Sequence, residues 1–463
     1  MNKNKNAAKK NGGMRTFLII WLGQLGSMIG SGLIGFALGV WIFEKTGQAT
    51  PFALTALFGT LPRILLSPIA GAISDRWNRK KIMLVSDSLA GLVELAAAVL
   101  LFTNNMEIWM VYLVSFMGSV FASFQQPAYS ASIVMLVPKS QLTRANSMIQ
   151  MGQAIETILT PVLAGALFVA IGMGGIIIIN FVTYLAAILV LLFVSIPQPE
   201  RKTENISGKF SVLKDVVFGW RYLVARRGLM GLLLYFASVN FFMNLSAVML
   251  GPLVLSFGSP TSMGAAQTIM GVGMLAGSIL MSIWGGFKKN KIPSVIAFIF
   301  LASIGFLVAG FQPSLLFVGV GIFILTFFIP LASGPSSAVF AEKVAPDVQG
   351  RVFATRSMVS QSMMPLAFIL SGILADKVFN PLMDQGGALS QTFVGRWIGI
   401  GPGRGIGLMV ICSGILLMLI SGLAYANPRI RGIETEIPDV VVEEADDQDA
   451  ETGEALVETS PAV

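Results

Sequence analysis

The sequence predicts an all-α integral membrane protein with twelve transmembrane helices in two pseudo-symmetric six-helix bundles, and three observations carry that expectation. Of its 463 residues, 54% are apolar and only 12% charged, with a mean hydropathy of +0.77. Soluble domains of this length do not carry so little charge. Apolar runs close to the ~20 residues needed to cross a bilayer recur along the whole chain. An internal repeat divides it, because Pro127, Pro138 and Gln141 reappear as Pro335, Pro346 and Gln349, each displaced by 208 positions, as expected of two like halves.

The spans are expected at 17–43, 51–73, 82–103, 108–129, 147–171, 174–196, 229–257, 263–285, 292–311, 314–332, 358–379 and 405–426. Before them, residues 1–16 form a polar, lysine-rich arm, and the first apolar run is too long for a signal-peptide core. Residues 17–196 make the first bundle and 229–426 the second. The connection 197–228 places Phe210, Leu213, Val217, Trp220 and Val224 at helical spacing among Lys and Arg, which reads as an amphipathic surface helix,. Eleven of the 24 acids fall between Glu434 and Glu458, leaving the rest of the chain at +18, so the tail 427–463 reads as disordered and solvating.

Twelve spans put both termini on one side. Of the 31 Lys and Arg, 26 lie in the termini and even-numbered loops, four (Lys45, Lys377, Arg396, Arg404) lie in odd-numbered loops, and Arg63 lies within a span. The positive-inside rule then expects both ends in the cytoplasm, with the protein a multi-pass protein of the cytoplasmic (plasma) membrane. With no His and a lone Cys412 in an apolar stretch, the common zinc, haem and iron-sulfur ligand sets are missing, so no metal or cofactor is expected.

Between the second and third spans runs Gly71-Ala72-Ile73-Ser74-Asp75-Arg76-Trp77-Asn78-Arg79-Lys80-Lys81. Gly71 allows close helix approach, Asp75 ends one helix facing the positive start of the next, and Arg76, Arg79, Lys80 and Lys81 hold the turn to the cytoplasmic side, a charged latch. Trp284, ahead of Lys288 and Lys289, echoes Trp77 at an offset of 207 without the acid. The spacing resembles the G-x-x-x-D-R-x-G-R-K signature of the major facilitator superfamily. It departs at Asn78, where that pattern has glycine, and Asn tolerates a left-handed backbone better than most residues. Together with Trp21-Leu22-Gly23-Gln24, Leu61-Pro62-Arg63, Pro127-Ala128, Val137-Pro138, Ala145-Asn146 and Gly401-Pro402-Gly403-Arg404-Gly405, it is similar to the bacterial macrolide-efflux and enterobactin-exporter branch over about 15–431. That resemblance implies a monomer exporting small amphiphilic molecules from the cytoplasm in exchange for protons, with lipid around it and no nucleic acid, by rocking of two bundles about a central cavity.

An ionisable group at bilayer depth is costly and so a functional candidate. Glu156, Glu94 and Arg63 lie roughly 9 or 10 residues from a span end, close to the midplane at about 1.5 Å per residue. Asp87 sits nearer the cytoplasmic edge, within reach of the latch. Glu156, exchanging partners with Arg63, is the preferred proton carrier over Glu94, because in the family's packing order fifth spans border the cavity. A static Arg63–carboxylate pair is the structural alternative. Gln24, Ser27 and Ser31 in the first span, with Asn240, Phe241 and Asn244 in the seventh, are candidate cargo contacts, although the asparagines serve equally as helix–helix hydrogen bonders. Glycines at four-residue spacing (Gly26, Gly30, Gly35, Gly39, Gly273, Gly277) suit close packing or alternating contact between halves. A lipid or lysolipid flippase on the same scaffold is the second reading. A multi-span enzyme is the third, and it lacks a metal set or a nucleophile–base motif.

Overall fold

The computed structural model describes residues 13–194, 196, 218, 220, 221, 224, 227–287, 289–344 and 346–436, and among them every regular element is helical. Phe210, Leu213 and Val217 of the expected surface helix, and the acidic tail from residue 437, lie outside the described residues.

In chain order the crossings are α1 (Met14–Thr46), α2 (Ala49–Arg76), α3 (Arg79–Phe102) and α4 (Ile108–Leu136). A single helical stretch follows, Leu142–Phe193, 52 residues long. At 1.5 Å per residue that would be about 78 Å, far beyond a ~30 Å hydrocarbon layer. Gly172 divides it, with φ 66° and ψ −177°, a backbone region essentially restricted to glycine. The result is two crossings, α5 (142–171) and α6 (173–193). The second half holds α7 (Arg227–Ala247, extended by the short helix Leu250–Leu255), α8 (Pro260–Trp284), α9 (Lys291–Phe311), α10 (Leu315–Lys343), α11 (Pro346–Leu374) and α12 (Arg404–Ala426). We call the side where α1 begins and α12 ends the terminal face, and the other side the far face.

The halves repeat one packing plan. In the first, α1 lies against α5 and α6, α2 against α4, and α3 against α4 and α6; in the second, α7 lies against α11 and α12, α8 against α10, and α9 against α10 and α12. Pro127 lies inside α4 and Pro335 inside α10, helices of 29 residues each. Small residues set the close approaches. An added Cβ on Gly30 would meet Thr183 Oγ1 at 2.5 Å, and one on Gly273 would meet the Phe323 carbonyl oxygen at 3.0 Å, both within one half. Gly26 and Gly35 meet nothing within 4 Å, so the four-residue stripe on α1 is only partly a packing seam. Large apolar side chains such as Leu92, Val99, Leu189, Ile279, Ile283 and Leu419 stay exposed, as a lipid-facing surface requires.

Contact between the halves runs through α5 with α8 and α2 with α11. Thr261 Oγ1 donates to the Gly165 carbonyl at 3.4 Å and Thr268 Oγ1 to the Ile158 carbonyl at 3.2 Å. The first contact lies toward the far face and the second nearer mid-depth. Two expected boundaries shift. The seventh span breaks after Ala247, and the acidic tail begins later than Glu434, because the short helix Ile433–Glu436 docks beneath the second half. There Glu434 Oε1 accepts from the Ile292 amide at 2.7 Å, capping α9, and its carbonyl accepts from Lys343 Nζ at 2.7 Å,.

Gly172 gives a clean test of the division of the long helix. An added Cβ there meets nothing within 4 Å, so Gly172→Ala introduces backbone strain without a clash and is expected to cost about 1–3 kcal/mol. Thermal unfolding in detergent should show a lowered midpoint for Gly172→Ala and none for Gly26→Ala.

Candidate functional site

A cavity of about 330 Å³ lies within the first half and is lined by side chains from all six of its helices. Gln24, Ser27 and Ser31 reach it from α1 because spacings of three and four residues put them on one helix face,. Arg63 enters from α2, Asp87 from α3, Gln125 from α4, Glu156 from α5 and Tyr184 from α6. Gln125 Nε2 donates to Gln24 Oε1, and Ser31 Oγ shares a 3.0 Å hydrogen bond with the Tyr184 hydroxyl. Both ties fix α1 against its neighbours.

Asp87 is 2% exposed and interacts with the side chains of Gln24 and Gln125. It therefore sits in the cavity wall. Glu94, two turns further along α3, is buried beside Asn180 and does not line this cavity. Asp87 Oδ2 and Glu94 Oε2 are both buried without a hydrogen-bond partner. Tyr184 lies near enough to interact electrostatically with both carboxylates. A buried acid with a bare oxygen is costly to keep charged, which makes the pair a place where a proton can reside.

Glu156 and Arg63 line the same cavity and feel each other's charge. They form no ion pair; the one formed among the described residues is Lys291–Glu342. The static Arg63–Glu156 bridge is thus not present. Glu156 also lines a second cavity of about 330 Å³ between the halves, together with Thr160, Met263, Gln267 and Met270. Of the named acids it alone borders both spaces.

The remaining candidates fall elsewhere. Asn240 Nδ2 donates to the Phe236 carbonyl at 2.9 Å and Asn244 Nδ2 to the Asn240 carbonyl at 2.8 Å, each one turn back on α7. Phe241 packs edge-on against Phe242 at 5.2 Å. None of the three lines either cavity. In the latch, Arg79 Nη1 donates to the Ala131 carbonyl at 2.7 Å, and Lys80 Nζ to the carbonyls of Leu192 at 3.1 Å and Val194 at 2.7 Å. These bind the turn to α4 and α6 of its own half. Asn78 has an extended backbone, φ −68°, and its Oδ1 caps α3 by accepting from the Lys81 amide at 3.1 Å. Its place in the motif thus rests on capping and not on a left-handed turn. A Cβ on Gly71 would meet nothing within 4 Å. The side chains of Asp75 and Arg76 lie outside the described residues. Gln125, Asn180 and Tyr184 were not singled out from sequence, since polar residues inside apolar spans give no sign of which neighbour they meet.

Comparison with known proteins agrees with this architecture. The profile of the Major Facilitator Superfamily matches residues 20–368. Macrolide efflux protein A of Streptococcus pyogenes is 30% identical over 376 residues, 80% of this chain and 92% of the relative. The enterobactin exporter of Shigella flexneri is 23% identical over 222 residues, 47% of this chain and 52% of that protein. Among solved structures, a bacterial homolog of the human lysosomal transporter Spinster, inward-facing and unoccupied, superposes with a TM-score of 0.63 at 16% identity, covering 88% of this chain and 95% of its own.

The geometry separates a proton-holding role for the α3 acids from a purely architectural one. Burying an amide costs less than burying an unpaired carboxylate, so Asp87→Asn and Glu94→Gln are each expected to unfold at a temperature no lower than the unsubstituted protein. A fall of several degrees in differential scanning would show that the carboxylates hold the bundle together.

Proposed function

The chain belongs to the Major Facilitator Superfamily and is a transporter of small molecules, and on that premise we propose that it exports amphiphilic compounds from the cytoplasm in exchange for protons. The observation that carries this reading is the position of Glu156, the acid that borders both the polar cavity of the first half and the more apolar space between the halves. A carboxylate at that junction senses proton and cargo together. Coupling follows if its protonated and charged forms favour different states of the carrier. Arg63 across the same cavity lowers the cost of the charged form,, and Asp87 and Glu94 supply neighbouring sites for the proton on its way.

The orientation follows from charge. The terminal face gathers the basic residues of the even-numbered loops, and by the positive-inside rule it faces the cytoplasm. The named contacts between halves run from mid-depth to the far face, which supports reading this conformation as open to the cytoplasm, ready to admit cargo. Gln24, Ser27 and Ser31 then offer hydrogen-bonding groups on one wall of the entry path. The efflux relatives support export over import, and the glutamine-rich, partly aromatic lining around Tyr129 and Phe121 suits a bulky cargo with scattered polar groups,.

Purified protein in liposomes with an imposed pH gradient tests the reading. Proton flux that depends on an added macrolide or siderophore is expected, and Glu156→Gln should abolish it while leaving folded protein in the membrane. Undiminished exchange in that variant refutes the role of Glu156. Movement of lysolipid in place of drug identifies the protein as a flippase.

A further inference from the structure

We propose that Asp376 is the clasp that holds the two halves shut at the far face, and that each transport cycle must undo it. The carboxylate belongs to the second half, in the π-helical turn Ala375–Phe379 that continues α11. Its partners belong to the first. Oδ1 accepts from the Ala49 amide at 3.0 Å, while Oδ2 accepts from the Thr50 amide at 2.7 Å and from the Thr50 hydroxyl at 2.6 Å. Three donors on one carboxylate, across a separation of more than 320 positions, make the most concentrated polar contact described between the halves.

The sequence of α2 explains why the contact matters. Its N-cap is Gln48, which makes no side-chain capping bond, and glutamine is not among the residues that cap well. The helix therefore begins with unsatisfied amides and a partial positive charge. Asp376 supplies the missing cap from the other half. The backbones are close enough for this because residue 372 is glycine: an added Cβ there would stand 2.6 Å from Thr50 Cα. The π turn packs against α2, and such wide turns redirect side chains at functional positions.

A cap built into one helix is permanent, whereas a cap lent by the opposing half exists only while the halves touch. In the conformation open at the far face, α2 and α11 separate there, the amides of Ala49 and Thr50 pass to water, and the carboxylate is released. Asp376 is thus a positioning residue for the transport cycle. It sets how readily the far side opens and touches neither cargo nor the carried proton. The inference uses the exchange cycle proposed above only for its consequence, since the clasp itself is read out without cargo.

The test measures the far-face separation directly in the full-length chain in lipid nanodiscs. In a Cys412→Ala background, spin labels are placed on Asn105→Cys and Gln385→Cys, both exposed positions in far-face connections of opposite halves. Asp376→Ala is expected to raise the ratio of long to short separations about tenfold, the effect of losing hydrogen bonds to a charged group. Thr50→Val, nearly isosteric and retaining both amide donors, should raise it roughly threefold, and it gives a reading even if Asp376→Ala fails to fold. A distance distribution unchanged in Thr50→Val, and in Asp376→Ala where that protein is obtained, overturns the proposal. If the separations shift while no cargo moves in liposomes, the clasp stands and the export reading fails. If cargo moves but neither variant alters the separations, the reverse holds.

Discussion

A helix that ends in or near a bilayer cannot leave its backbone amides and carbonyls bare, and beside local caps such as Asn78, Ser259 and Ser314 this chain meets that constraint at several ends with charged side chains borrowed from elsewhere in the fold. Asp376 serves the start of α2, and Glu434 serves the start of α9. Lys80 serves the end of α6, and the buried Arg404 donates to the carbonyls of Gly310 and Phe311 at the end of α9, both at 2.9 Å. Only 12% of residues are charged, and these four are placed as terminal caps. The motif between α2 and α3 is part of the same pattern: Arg79 and Lys80 fasten α3 to α4 and α6, which stiffens one half. Rigid halves are a precondition for rocking, since motion is useful only where packing is weak.

The two halves repeat in packing but differ in chemistry. Spans α3 and α5 of the first half carry Asp87, Glu94 and Glu156, surrounded by Gln24, Gln125, Asn180 and Tyr184. Toward the shared cavity the second half offers Met263, Met270, Ala266 and Ile322, with Gln267. One half is thus equipped to hold charge and the other to shelter apolar surface. An amphiphilic cargo lying between them meets both kinds of surface, and Glu156 stands where they join.

Much of the fold was legible in the sequence, because hydropathy and the 208-residue repeat depend on composition and order alone. Even the break near residue 172 could be placed, since a run from Ser147 to Ile196 is too long for one crossing. The site was legible only in part. Gln24, Ser27 and Ser31 reached the cavity as their spacing suggested, but Asn240 and Asn244 turned their amides back onto α7, a choice that spacing does not encode. Asp87 was placed by depth within reach of the latch, and depth along a helix says nothing of its neighbours Gln24 and Gln125 in the cavity wall. Asp376 could not be given partners from sequence, since they lie more than 320 positions away and the poor cap at Gln48 is informative only once α11 is known to stand opposite. Gly71 was given a packing role that the space around it does not support.

The glycine at 172 also bears on how the chain enters the membrane. No connecting residues separate α5 from α6 beyond that single reversal, and so short a turn favours entry of the two helices into the bilayer as one hairpin, with their backbone groups already satisfied. On that expectation the helix that carries Glu156 becomes embedded together with α6.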